Sequence, residues 1–305
     1  MIPNVSQGSP GAPEQGWRLY RYGPWQAQVA ALGLPARSGP AGGSTSPTGV
    51  RGIVVLIHGG YWRARYDRSL QDPVAADLLD RGWAVWNIDY RAVGAGPSAG
   101  GGWPHTYQDV ADAMDALGPA AREHGLGLDV VVVVGHSAGG TLALWTAARH
   151  RLPPGAPGSL SAPGSLGTPG TSGAGRLGAD PWVLPTAVVA QAAICDLVAG
   201  AGQRLGDGAV VDLLGAGPDT AGPVYALASP VALLPLGVPL LVVTGQDDGV
   251  VPSSQSVGFG SASRLAGDDV TLEVLPGEGH FGHLDPSSRS WAVALAWIER
   301  QARAA

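Results

Sequence analysis

Residues 130–140 read Val-Val-Val-Val-Val-Gly-His-Ser-Ala-Gly-Gly, and this stretch decides the fold. Five consecutive β-branched residues predict a strand buried on both faces, and residues 138–149 space their apolar side chains as a helix. Between them, Gly135-His136-Ser137-Ala138-Gly139 is G-x-S-x-G in strand, turn, helix order. A sharp turn there lifts the Ser137 hydroxyl off the strand end. Glycines two before and two after the serine leave room for a strained backbone, and the helix that begins there turns its N-terminal dipole toward developing negative charge. Ser137 is the candidate nucleophile. G-x-S-x-G also arises by chance in a chain with 48 glycines, so the flanking strand and helix are what separate Ser137 from an ordinary turn serine. By alternation His136 points away from the nucleophile and reads as a structural residue of the turn. Gly140 reads as a site of close helix packing.

Further short apolar runs recur at 53–57, 84–88, 187–190, 240–244 and 270–275, and helical spacing recurs at 72–81, 106–123, 253–266 and 288–303. Strands alternating with helices imply βαβ crossovers and a mostly parallel sheet flanked by helices, an α/β fold. The expected organisation is a flexible N-terminus at 1–16 and one domain over 17–305. It carries low-complexity Gly/Pro insertions at 36–49, 94–102 and 153–181, read as flexible surface segments. The segment 196–239 is too short for a separate cap domain and long enough for a small lid.

The run at 53–57 ends in His58-Gly59-Gly60-Tyr61-Trp62. Two backbone N–H groups must meet the oxyanion of a tetrahedral intermediate, one from the residue after the nucleophile, Ala138, and one from an earlier strand-end loop. Gly60 is the expected second donor and Tyr61 a possible third. His58 precedes the nucleophile and reads as a brace for the loop. Trp62 and Tyr61 either wall a substrate pocket or pack, and Trp62 is taken as the substrate contact. The run at 240–244 leads into Asp247 and Asp248, either of which can carry a carboxylate to an imidazole. The run at 270–275 is followed by His280, the candidate base, with His283 as its rival.

Composition removes other chemistries. The chain has 305 residues, 45% of them apolar and 14% charged, which suits a globular protein with a substantial core. A formal charge of −6 without a basic run gives no footprint for nucleic acid and no polybasic membrane anchor. All 18 basic residues are Arg, which excludes Ser-Lys hydrolysis, Schiff-base chemistry and a phosphate-binding P-loop lysine. Cys195 is the single cysteine, so neither an intramolecular disulfide nor a thiolate metal cluster can form. No metal or cofactor is expected. The first 16 residues lack a leader's charged and apolar regions, and no apolar run reaches the ~18 residues of a membrane helix. The expectation is a cytoplasmic enzyme for a small-molecule ester or amide, without nucleic-acid or membrane partners.

The residues His58–Trp62, 82–91, 135–140, 245–252 and 279–281 resemble the esterase, lipase and arylformamidase group of α/β-hydrolases, over roughly residues 50–300. That resemblance selects Asp248 over Asp247, through the pattern G-x-x-D-x-x-V-P, and implies a Ser137, Asp248, His280 triad. It implies hydrolysis of carboxylic esters through an acyl-enzyme. The H-G-G-x-W form is similar to kynurenine formamidase, which makes arylformamidase the alternative. A non-catalytic ligand-binding homologue is the third reading, opposed by a complete set of reactive parts. A neutral histidine base implies activity that falls as pH drops through the ordinary imidazole range, about 6–7.

Overall fold

Successive residues of a strand face opposite sides of a sheet, and the apolar runs here are continuous enough to cover both sides. In the computed structural model, which describes residues 16–36, 49–159 and 183–304, they form one eight-stranded sheet in the order β1-β2-β4-β3-β5-β6-β7-β8. β1 (Trp17–Arg21) and β2 (Val29–Gly33) make an antiparallel edge. β3 (Ile53–Ile57), β4 (Ala84–Ile88), β5 (Val131–His136), β6 (Ala187–Gln191), β7 (Leu240–Gly245) and β8 (Val270–Leu275) are parallel. The register sets Ile57 beside Gly135 and His136 beside Gln191, so β3, β5 and β6 end level.

The helices are α1 (Asp72–Asp80), α2 (His105–Glu123), α3 (Ala138–Ala147), α4 (Leu197–Gly202), α5 (Leu205–Leu214), α6 (Pro218–Ala228), α7 (Ser254–Ala266) and α8 (Arg289–Ala304). On one face of the sheet Ile53, Val55 and Ile57 pack with Val110 and Met114 of α2 and Leu142 of α3. On the other, Val54 and Leu56 pack with Val74 and Leu78 of α1 and Trp291 and Ile298 of α8. The six strands and five helices expected from periodicity are present, with ends shifted by a few residues. β1 and β2 were not foreseen: β1 is an exposed edge strand with two arginines, and its pattern carries little apolar signal. β8, expected to be buried on both faces, is the opposite edge and is only partly covered.

Residues 94–102, expected as a flexible surface insertion, are exposed at 94–97 and hydrogen-bonded back to Ala92. Ala92 N–H donates to Ser98 O at 2.6 Å and Gly101 N–H to Ala92 O at 2.9 Å. A Cβ on Gly101 would lie 2.2 Å from Arg91 O. The glycine is there because two backbones touch, and the segment is folded onto the loop after β4. The other two expected insertions lie mostly at 37–48 and 160–182, outside the described residues, as does 1–15. Where the last insertion begins it is anchored: Arg149 Nε–H donates to Gly158 O and Gly158 N–H to Gln108 Oε1, both at 2.9 Å. Between β6 and β7, α4, α5 and α6 form a small helical excursion of the size expected for a lid. Among the described residues no helix is long and apolar enough to cross a membrane.

Candidate active site

In a parallel sheet, loops leaving the carboxyl ends of the strands gather on one edge. The loops after β3, β5, β7 and β8 carry all the candidate residues, so the topology alone brings them to the same edge.

β5 ends at His136, and Ser137 adopts φ 56° and ψ −124° before α3 begins at Ala138. That conformation costs a residue with a Cβ about 1–3 kcal/mol, and it is held by Ser137 N–H donating to Gln191 O at 2.7 Å and Gly140 N–H donating to Ser137 O at 2.9 Å. The glycines around it are sterically required. A Cβ on Gly135 would lie 2.2 Å from Gly139 O, and one on Gly139 would lie 2.0 Å from Ile57 O. Gly140 faces Ala193, whose methyl carbon would be 2.6 Å from an added Cβ. As the first residue of α3, Ala138 has an N–H without an acceptor inside its helix.

The loop after β3 holds three consecutive residues at positive φ, namely Gly60 at 104°, Tyr61 at 53° and Trp62 at 52°. Several bonds fix this shape. Arg63 N–H donates to Gly60 O at 3.0 Å, Val93 N–H to Trp62 O at 2.7 Å, and Ala64 N–H to Val93 O at 2.9 Å. The Trp62 indole N–H donates to Ala138 O at 3.1 Å, tying this loop to α3, and Tyr61 O–H donates to Val250 O at 2.9 Å, tying it to the loop after β7. A Cβ on Gly59 would be 3.0 Å from Ser137 Cβ, and one on Gly60 would be 2.4 Å from the Tyr66 ring. The buried His58 ring stacks on Tyr90 with centroids 4.4 Å apart, and Tyr90 O–H donates to His58 O at 2.8 Å. Burial lowers the His58 pKa, with Asp89 pulling the other way. His58 braces the loop.

Trp62, expected as a substrate contact, is 1% exposed and packs among the core residues. Its large ring fills the space under the loop, and its polar edge finds Ala138 O, which is how a buried indole is satisfied.

After β7, Asp248 Oδ1 accepts the N–H groups of Val250 at 2.8 Å and Val251 at 2.9 Å. Its Oδ2 accepts the Nδ1–H of His280 at 2.7 Å. Burial pushes the Asp248 pKa up, but the His280 hydrogen bond and charge and the two backbone donors outweigh it, and the net shift is down. Asp247, the rival carboxylate, is exposed. His283, the rival imidazole, is fully buried with neither ring nitrogen hydrogen-bonded to protein, and burial followed by the neighbouring His280 takes its pKa down to about 3.

His136 contributes a bond that its place in the sequence did not disclose. Its Nε2–H donates to His280 O at 2.9 Å, with the two rings 4.7 Å apart. Tyr90 under His58 is likewise a contact between distant segments, whereas Tyr66 reaches Gly60 within the same loop, through the turn bonds of Arg63. Among the described residues no group of three or more His, Cys, Asp or Glu is arranged to hold a metal ion. A shallow cleft lined by Pro235, Val238 and Asp268 lies where β7 and β8 begin, at the opposite end of those strands from Asp248 and His280.

A mostly parallel, doubly covered sheet with a strained serine turn after β5 defines the α/β-hydrolase fold. Residues 44–262, more than half of the chain, match the model of the BD-FAE family, and the chain belongs to that family. The match includes Ser137 and Asp248 and ends before His280. Solved structures agree in fold. A truncated carbohydrate esterase from gut microbiota is 21% identical, with 94% of this chain and 96% of that one covered and a TM-score of 0.70. Esterase B from Lactobacillus rhamnosis, inhibited by a tributyrin phosphonate, is 18% identical, covering 94% and 86% at a TM-score of 0.70. Propionate-bound esterase 2 from Thermogutta terrifontis is 21% identical, covering 95% and 93% at a TM-score of 0.64. No curated protein matches the chain.

Proposed function

We propose that this chain is a carboxylic-ester hydrolase for small-molecule esters, working through an acyl-enzyme on Ser137, with His280 as general base and Asp248 as its partner. The observation that carries this reading is the 2.7 Å bond from His280 Nδ1–H to Asp248 Oδ2, on the strand edge where Ser137 occupies its strained turn. Membership of the BD-FAE family and the fold shared with carbohydrate and bacterial esterases support it.

Asp248 holds Nδ1–H, which leaves Nε2 of His280 as the ring's basic nitrogen. Nε2 takes the Ser137 proton as Oγ attacks the ester carbonyl carbon. The oxyanion accepts the N–H groups of Ala138 and Gly60, with Tyr61 N–H as a third donor. The intermediate collapses, the C–O bond to the alcohol breaks, and His280 protonates the departing oxygen. A water then gives its proton to His280 and attacks the acyl carbon, releasing the acid and restoring Ser137. Asp248 remains ionised throughout and stabilises the imidazolium.

The alternative reading, formamide hydrolysis, rests on the H-G-G-x-W form alone, whereas the family and the structural neighbours favour esters. The proposal extends to a single domain over 17–305 and to a cytoplasmic location, which suits a lone, buried cysteine.

A fluorophosphonate probe is expected to label the native chain and not Ser137→Ala, with hydrolysis of short p-nitrophenyl esters lost in parallel. Undiminished labelling of that variant would overturn the nucleophile. Turnover of N-formylkynurenine in preference to every ester of the panel would overturn the substrate class.

A further inference from the structure

His136 is the residue immediately before the proposed nucleophile, yet its side chain reaches the loop of the proposed base. The loop is tied down beside His280, where Glu278 O accepts from Asp247 N–H at 3.0 Å and Glu278 Oε2 from Ser290 O–H at 2.7 Å, and His280 itself is held at two points. Asp248 holds the His280 imidazole at Nδ1, and the His136 imidazole holds the His280 backbone at its carbonyl oxygen, 2.9 Å from Nε2. On its other side His136 borders the oxyanion loop, since a Cβ on Gly59 would lie 3.3 Å from His136 Nδ1. One buried imidazole, 3% exposed, therefore sits between the donor loop and the base loop, joined covalently to Ser137.

We propose that His136 is a positioning residue for ester hydrolysis: its Nε2–H, bonded to the His280 carbonyl, fixes the base relative to the neighbouring Ser137. The assignment rests on the triad proposed above. A carbonyl oxygen only accepts, so the bond requires the Nε2–H tautomer of His136. Burial, followed by the neighbouring His280 and His283, holds the His136 pKa well below the ordinary imidazole value, which keeps the ring in a single neutral form. The Asp248 bond sets the edge of the His280 ring and not the backbone behind it, and the Glu278 and Gly282 bonds hold the loop two residues to either side. The His136 bond is the one that reaches the His280 backbone itself. Misplacement of a base by about 1 Å can cost on the order of a hundredfold in rate.

The test compares His136→Met, which fills the core without a donor, with His136→Gln, whose amide N–H can reach the same carbonyl. In steady-state hydrolysis of p-nitrophenyl acetate by the full chain, His136→Met is expected to lose roughly tenfold to a hundredfold in kcat with KM within about twofold. It is also expected to weaken the downfield proton NMR signal of the bond between His280 and Asp248. His136→Gln is expected to recover most of the kcat. Unchanged kcat in a folded His136→Met, or equal loss in both folded variants, would overturn the assignment while leaving Ser137, tested by its own alanine variant, untouched. Nitrogen-15 shifts of the native protein test it without any variant, and without any turnover. The Nε2–H tautomer of His136 supports the assignment, and an Nδ1–H tautomer overturns it.

Discussion

At Ser137 a strained backbone and a reactive side chain occupy one residue, and the two can be separated by mutation. At φ 56° and ψ −124° glycine is nearly unstrained, so Ser137→Gly is expected to raise stability by about 1 kcal/mol, after the entropic cost of glycine, while abolishing hydrolysis. Thermal unfolding of native, Ser137→Ala and Ser137→Gly chains checks it, and a glycine variant melting below the alanine variant would show that the turn stores no strain. Asp248 accepts three hydrogen bonds, two of them from backbone. Asp248→Asn keeps the volume but presents an amide to His280, favouring the wrong tautomer, and kcat is expected to fall about four orders of magnitude, as for the equivalent change in a serine-protease triad. A loss below tenfold in kcat would remove Asp248 from the mechanism. At this scale sequence order supplied Ser137 and His280. The choice between adjacent carboxylates came from a family pattern, because both leave the same strand end and only the folded loop turns Asp248 toward His280 and Asp247 outward.

Among the elements, the loop after β3 is tied to α3 through Trp62, to the loop after β4 through Val93 and to the loop after β7 through Tyr61. Gly60 sits at its bend with φ 104°, and its α-carbon faces the Tyr66 ring. Gly60→Ala adds a methyl into that ring and forces a conformation that L-residues avoid. It is expected to displace one oxyanion donor and lower kcat by a hundredfold to a thousandfold, the usual cost of losing such a donor, about 2.7–4 kcal/mol. Steady-state kinetics with labelling by a fluorophosphonate will read it, and an alanine variant with native kcat would take Gly60 out of the oxyanion hole. The two glycines were visible in the sequence as freedom to bend. The tertiary tie of the loop was not, because Trp62 satisfies its indole on a helix 76 residues away; the Tyr66 ring, by contrast, meets Gly60 within the loop itself.

Across the whole molecule, burial holds three of the four buried imidazoles toward the neutral form. His58, His136 and His283 all have pKa values lowered chiefly by burial, His283 to about 3, against about 6.5 in an unfolded chain. Between those values the unfolded state binds more protons than the folded one, so stability is complete above pH 6.5 and falls as pH drops toward 3. His283 alone contributes a loss of about 2 kcal/mol by pH 5. Asp112, raised to about 6 mainly by burial, and Asp89, also raised by burial, oppose this below neutrality, but His283, displaced furthest among the printed values, sets the direction. Urea midpoints at pH 7.5 and 5 are expected to decrease, and to decrease less in His283→Asn. A midpoint that rises on acidification would contradict the balance. By itself the sequence determined the parallel sheet, the order of its strands and helices along the chain and the serine turn, because apolar period, glycine placement and strand-end position are local properties. Only the tertiary structure decided the edge strands, the folding of 94–102 onto its neighbours, the burial of Trp62 and the grip of His136 on the base loop. Each of these depends on which distant backbone atom comes within hydrogen-bonding or van der Waals reach, and the chain acquires that information only when the sheet has brought its strand ends together.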